Sequence, residues 1–150
     1  FHLLSQADCI ADTHFMLQKE VVQRLAAGAG MNHYGRLGIM VQYWCEVEHL
    51  FDVGPGAFNP PPKVDSAIVR LTPHASLPHP AEDVQLLEVV VREAFNQRRK
   101  TLRNTLNGLL DADAIEAEGL DPTVRPEQVD LAGFVRLANR LARQGSVADA

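Results

Sequence analysis

Two short stretches of this chain carry side chains whose types and spacing could do chemistry. The first is Gly56-Ala57-Phe58-Asn59-Pro60-Pro61-Pro62-Lys63-Val64-Asp65-Ser66. Proline fixes φ near −65° and pushes the residue before it towards extended backbone, so three in a row predict a stiff, extended strut. Proline cannot donate to a strand ladder, so the strut is a loop beside a sheet edge. It holds one ring, Phe58, and one cation, Lys63, at set positions. A flat ligand could stack on that ring. The plainer alternative is a core phenylalanine, although the strut limits how far the ring can turn inward.

The second stretch is Arg98-Arg99-Lys100, with Arg103 just beyond. From Phe95 to Leu110 there are four positive residues and no acid, whereas Asp111 to Asp121 holds five acids and no base. The net charge of −5 argues against a wholesale basic nucleic-acid binder, but local fields decide docking. Extending the preceding apolar stripe would bury Arg98, which is costly for an unpaired guanidinium. The simpler reading ends that helix near Gln97, leaves Arg98-Arg99-Lys100 in an exposed turn, and has Thr101 cap a new helix. Phosphate could then meet two or three cations and the N-terminal amides of the second helix. The competing reading is a solvated charged surface.

Other residues that look chemical lack the company chemistry needs. His2, His14, His33, His49, His74 and His79 show no ligand spacing with cysteine or acid, so no metal site is expected. There is no G-x-S-x-G elbow, and neither Cys9 nor Cys45 has the setting of a nucleophile. Those cysteines lie far apart without CxxC spacing and read as two reduced, part-buried thiols. Gly28-Ala29-Gly30 and Gly54-Pro55-Gly56 lack the third glycine and the strand-to-helix setting of a dinucleotide loop.

The elements that must position these residues follow from periodicity. Residues 10–17 read as a half-buried strand and 18–27 as a helix with Leu17, Val21, Val22 and Leu25 on one side and Glu20 four before Arg24. Residues 36–45 place Leu37, Met40, Val41, Trp44 and Cys45 on a helical core face. Residues 46–53 and 66–72 read as strands, the latter with Ala67, Val69 and Leu71 on one side. This order predicts the back half of an α/β sheet closing with an antiparallel pair, over residues 1–73. Residues 74–81 read as a linker. Residues 82–150 are helical throughout, with stripes Val84/Leu87/Val91/Ala94/Phe95, then Leu102/Leu106/Leu109/Leu110, then Leu131/Phe134/Val135/Ala138/Leu141/Ala142. Gly119 reads as a C-cap and Asp130 as an N-cap, and the tail is expected to fray after Gly145. The chain opens on Phe1-His2-Leu3-Leu4, which reads as the end of an apolar helix and the middle of something longer.

Hydrophobic residues make up 46% and charged residues 22%, as in a globular domain. No apolar run approaches the roughly 18 residues of a membrane span, and no leader is visible. A cytoplasmic protein is expected, without a membrane partner.

Four motifs now stand in order: His14-Phe15-Met16-Leu17-Gln18-Lys19-Glu20-Val21, Tyr34-Gly35-Arg36-Leu37, the Ala57–Ser66 strut, and Ala94-Phe95-Asn96-Gln97-Arg98-Arg99-Lys100-Thr101-Leu102-Arg103-Asn104. Together they closely resemble the bacterial small-subunit rRNA adenine N6-dimethyltransferase (KsgA) family. The resemblance implies the C-terminal half of a Rossmann-type methyltransferase sheet followed by a small helical domain. It further implies transfer of methyl groups from S-adenosylmethionine to adenines of small-subunit rRNA, a role in small-subunit maturation, and a monomer. The cofactor loop, the ribose-binding acid and the Asn-Leu-Pro-Tyr motif of the family would precede Phe1, so no cofactor ligand is carried over. This chain alone is expected to be inactive. Phe58 matches the aromatic that packs on the flipped adenine. Arg98, Arg99 and Lys100 match the rRNA-docking segment, with Arg36 and Arg103 as further candidates. Three readings compete with it: a non-catalytic ribosome-assembly RNA-binding module, a plain helical scaffold, and a macrolide-resistance rRNA methyltransferase. The last fits less well because the match continues through the helical domain.

Overall fold

The computed structural model describes residues 3–148. The chain divides into two units, Phe1–Gly28 with Asn32–Pro78 and Ala29–Met31 with His79–Ala150.

The first unit is a three-stranded sheet with two helices. Strands β1 (Thr13–Gln18), β2 (Cys45–Val53) and β3 (Ser66–Pro73) lie in the order β1-β3-β2, with β3 antiparallel to both neighbours. The antiparallel pairing of β2 with β3 is the one the sequence predicts. Alternation places Ala67 and Val69 inward on β3, where they are fully buried, with Phe15, Leu17, Val47 and Leu71 packed around them. Helix α1 (Lys19–Ala26) covers this face with Val22 and Leu25, and α2 (Arg36–Trp44) adds Val41. Glu20 and Arg24 pair on the outside of α1 as their spacing predicts. The Gln42 amide donates to Leu25 O at 2.7 Å and Ala27 O at 2.9 Å, satisfying carbonyls left over at the end of α1.

The core face of α2 differs from its predicted stripe. Met40, Val41 and Cys45 are buried, but so are Gly38, Ile39 and Tyr43, while Leu37 is exposed and Trp44 half-buried. Gly38 gives the reason. A Cβ built there would sit 2.3 Å from the Arg24 carbonyl oxygen of α1, so the two backbones meet at a residue that carries no hydrophobic signal. At the start of the chain Leu3–Cys9 forms 3₁₀ turns broken at Gln6, not an apolar helix end. Phe1 and His2 lie outside the described residues. Both cysteines are free as expected, but neither is part-buried: Cys9 is exposed and Cys45 buried.

The second unit is helical. Asp83 caps α3 (Val84–Asn96), accepting from Gln85 N–H at 2.8 Å, and Leu87, Val90, Val91 and Ala94 face inward. α4 (Leu102–Thr105) is a single turn that buries Leu102 and precedes buried Leu106 and Leu110. Asp111 caps α5 (Ala112–Ala117), an element the sequence reading left unassigned. Gly119, at φ +76°, closes α5, with Leu120 N–H returning to Ile115 O as the predicted glycine cap requires. Asp130 accepts from Gly133 N–H at 2.8 Å at the start of α6 (Leu131–Ala148), whose Phe134, Leu137 and Ala138 meet α3. The helix continues to Ala148 rather than ending at Gly145; Asp149 and Ala150 lie outside the described residues.

Candidate nucleic-acid interface

The basic corner forms because α3 runs out of apolar face. Its last inward residues are Ala94 and half-buried Phe95, whose ring lies 5.9 Å from that of Phe134. Beyond Asn96 the chain turns, with Lys100 N–H donating to Gln97 O at 2.9 Å. Gln97, Arg98, Arg99 and Lys100 are all exposed and line an open depression of about 310 Å³. Among the described residues no acid forms an ion pair with Arg98, Arg99 or Lys100. The neighbouring acids are engaged elsewhere. Asp111 caps α5, and Asp121 accepts from the Thr123 hydroxyl at 2.6 Å and the Thr123 amide at 2.8 Å. Those two hydrogen bonds hold the Asp121 carboxyl below its ordinary range, with the charge of exposed Arg103 a smaller cause.

One part of the expected phosphate site is absent. The amides at the start of α4 are spent internally: Leu102 N–H donates to Val124 O, Arg103 N–H to Pro122 O, and those of Asn104 and Thr105 to Thr101 O. Thr101 occupies the cap position, but its hydroxyl makes no cap bond and is buried without a partner. Anion binding at this corner therefore falls to side chains. The same two bonds to Val124 and Pro122 bring a residue the sequence did not mark. Arg125 is exposed and directly follows the segment held against α4. A lone arginine between Val124 and Pro126 gives no local signal, because the pairing that carries it there is long-range. Arg36 belongs to the first unit, exposed at the first turn of α2.

Phe58 stands in the first unit, in the loop between β2 and β3. A 3₁₀ turn over Pro55–Ala57 ends with Phe58 N–H donating to Pro55 O at 3.2 Å. The ring is half-buried and does not join the core. The strut is not uniformly extended as predicted: the chain bends over residues 58–60, and the Asn59–Pro60 peptide is cis. Proline fixes its own φ but leaves the preceding peptide able to adopt either isomer, so the sequence does not determine this shape. Lys63 is exposed on the same loop.

The loop leaves and rejoins the sheet beside a compact charged group. Lys19 N–H donates to Asp65 O at 2.9 Å, and its Nζ lies 2.7 Å from Asp52 Oδ2. His49 Nε2 lies 2.7 Å from Asp52 Oδ1. The Lys19 hydrogen bond is the main cause holding the Asp52 carboxyl below its ordinary range, and the same bond raises Lys19.

Among the described residues no group of three or more His, Cys, Asp or Glu could hold a metal ion, and no helix is long and apolar enough to cross a membrane. Gly28-Ala29-Gly30 follows the end of a helix, and Gly54-Pro55-Gly56 leads from a strand into one 3₁₀ turn. Neither offers amides at the start of a long helix, so neither has the setting of a dinucleotide loop.

Compared with known proteins, residues 1–143 match the family model described as ribosomal RNA adenine dimethylase. The chain belongs to that family. The ribosomal RNA small subunit methyltransferase A of Pseudomonas putida is 74% identical over 144 residues, covering 96% of this chain and 54% of that protein. Its counterpart in Marinobacter nauticus is 58% identical over 147 residues, covering 98% and 53%. The chain thus spans about half the length of the curated relatives it matches. Among solved structures, a dimethyladenosine transferase from Plasmodium falciparum aligns with TM-score 0.77 at 24% identity, over 96% of this chain and 63% of that one. The 23S rRNA methyltransferase ErmE aligns with TM-score 0.66 at 24% identity, over 89% and 55%. At 24% identity both likenesses concern the fold alone.

Proposed function

We propose that this chain is the C-terminal part of an rRNA adenine N6,N6-dimethyltransferase that modifies small-subunit rRNA and acts in small-subunit maturation in the cytoplasm. The observation that carries the reading is the 74% identity over 144 residues to a ribosomal RNA small subunit methyltransferase A. In the intact enzyme S-adenosylmethionine supplies the methyl group and is held by residues outside this chain.

This chain's own residues bind and align the RNA. A stacked adenine hides its N6 amine, and extruding it costs a few kcal/mol. The half-buried ring of Phe58, braced by the proline loop, offers the purine a face worth about 1–3 kcal/mol. Held flat there, the amine is fixed in orientation, which is the main demand on a site where two partners must meet. Arg98, Arg99 and Lys100, which form no ion pair among the described residues, supply phosphate contacts and are joined by Arg103 and Arg125. Arg36 is a further contact from the first unit.

The test is Phe58→Ala in the intact enzyme. Methyl transfer to unmodified small subunits is expected to fall about ten- to a hundredfold, the size of a lost stacking contact, with subunit binding nearly unchanged. Equal losses in both would remove the ring from the chemistry. For the chain taken alone, the exposed cationic turn supports a second reading as a non-catalytic ribosome-assembly module. Small-subunit binding by residues 1–150 without cofactor binding is the outcome expected of it.

A further inference from the structure

We infer that Lys19 is a positioning residue: one side chain and its own amide hold both ends of the loop that carries Phe58. The loop departs from the end of β2, one residue after Asp52, and returns at Asp65, immediately before β3. β1 and β2 lie on opposite sides of β3. Lys19, just past the end of β1, donates its amide to Asp65 O and so extends the β1–β3 ladder by one bond to the returning end. Its ammonium reaches across the start of β3 to Asp52 at the departing end, 2.7 Å away. His49 meets the other oxygen of the same carboxylate, also at 2.7 Å, so Asp52 is held from both sides.

The arrangement is more than a surface ion pair. Such a pair between half-exposed groups adds little to global stability, and Lys19 and Asp52 are 37% and 43% exposed. Here the pair joins three strands at the point where the sequence has replaced ladder donors with prolines. Pro60, Pro61 and Pro62 cannot bond to a neighbour, and within the loop the described backbone bonds are those of Ala57 N–H to Gly54 O and Phe58 N–H to Pro55 O. The β2–β3 ladder closes the neck of the loop by placing Val53 opposite Ser66, and Lys19 adds a tie from β1 to each side of that neck. A ring misplaced by about 1 Å is enough to slow a reaction that depends on alignment.

The inference rests on the stacking role proposed for Phe58, and the experiment separates the two. In the intact enzyme, Lys19→Met keeps the stem and removes the charge, while Lys19→Arg keeps the charge. Amide hydrogen exchange at Ala57 and Phe58 is expected to quicken about tenfold in Lys19→Met, as local opening becomes easier, and to stay near wild type in Lys19→Arg. Exchange in α1 and α2 is expected to be unchanged. The kcat for methyl transfer is expected to fall about tenfold in Lys19→Met with KM for the small subunit held, the mark of lost alignment. Unchanged exchange at Ala57 and Phe58 would overturn the inference, whatever happens to activity. So would quickened exchange in Lys19→Met that Lys19→Arg fails to restore. Quickened exchange with full methyl transfer would support the clasp and contradict the stacking role of the ring.

Discussion

At the scale of single residues, environment decides which candidates are free to act. Asp52 shows this through its protonation. Its ionised form is favoured by the folded state, so its contribution is complete above the unfolded carboxylate pKa and disappears as pH falls through the lowered folded value. Lys19 runs the other way: its contribution is complete below the unfolded amine pKa and is lost as pH rises through the raised value. Lys19→Met is expected to raise the Asp52 midpoint towards the free carboxylate value, read from the side-chain carbon signal by NMR. A midpoint that stays put would mean that another group holds the carboxylate. Cys45 is a second case, because burial pushes its thiol upward. Alkylation of the folded chain is expected to label exposed Cys9 well before Cys45, and equal labelling would show that the β2 edge of the core opens freely. Residue types and their grouping were legible in the sequence here. Arg98, Arg99 and Lys100 stand in the exposed turn their neighbours implied, whereas the loop that carries Phe58 bends where an extended strut was expected. Arg125 was not legible, since only the backbone pairing of residues 122–124 with α4 carries it to the corner.

At the scale of elements, strong periodicity read well and close backbone contact did not. The β3 face of Ala67 and Val69, and the caps Asp130 and Gly119, follow from alternation, a short carboxylate and a missing Cβ. The face of α2 did not, because its contact with α1 is centred on Gly38. Gly38→Ala places a methyl 2.3 Å from the Arg24 carbonyl and is expected to destabilise the first unit by about 1–3 kcal/mol, as overpacking does. A denaturation midpoint that does not move would mean that α1 and α2 separate without cost. In the second unit Asp83 satisfies the first amides of α3, and Asp83→Ala is expected to cost about 1 kcal/mol, the usual loss of a cap, measured by urea unfolding. The one-turn α4 was predicted as a longer helix with free amides. It gives way to a turn at Gly108, at φ +100°, and its first amides bond the 122–124 segment, a tertiary contact with no local trace.

At the scale of the whole molecule, a net charge of −5 coexists with a cationic corner; of the acids that follow it, Asp111 caps α5 and Asp121 bonds Thr123. The division of labour follows. In the proposed function the first unit would present a ring for the base, and the second cations for the backbone. Docking through phosphates releases counterions, so its strength depends on salt, whereas stacking does so far less. The most direct measurement is the salt dependence of small-subunit binding by the intact enzyme when Arg98, Arg99 and Lys100 are all replaced by alanine. The slope of log K against log salt is expected to flatten by about 2–3 units. A slope identical to wild type would contradict the account, because the corner would then lie outside the RNA interface.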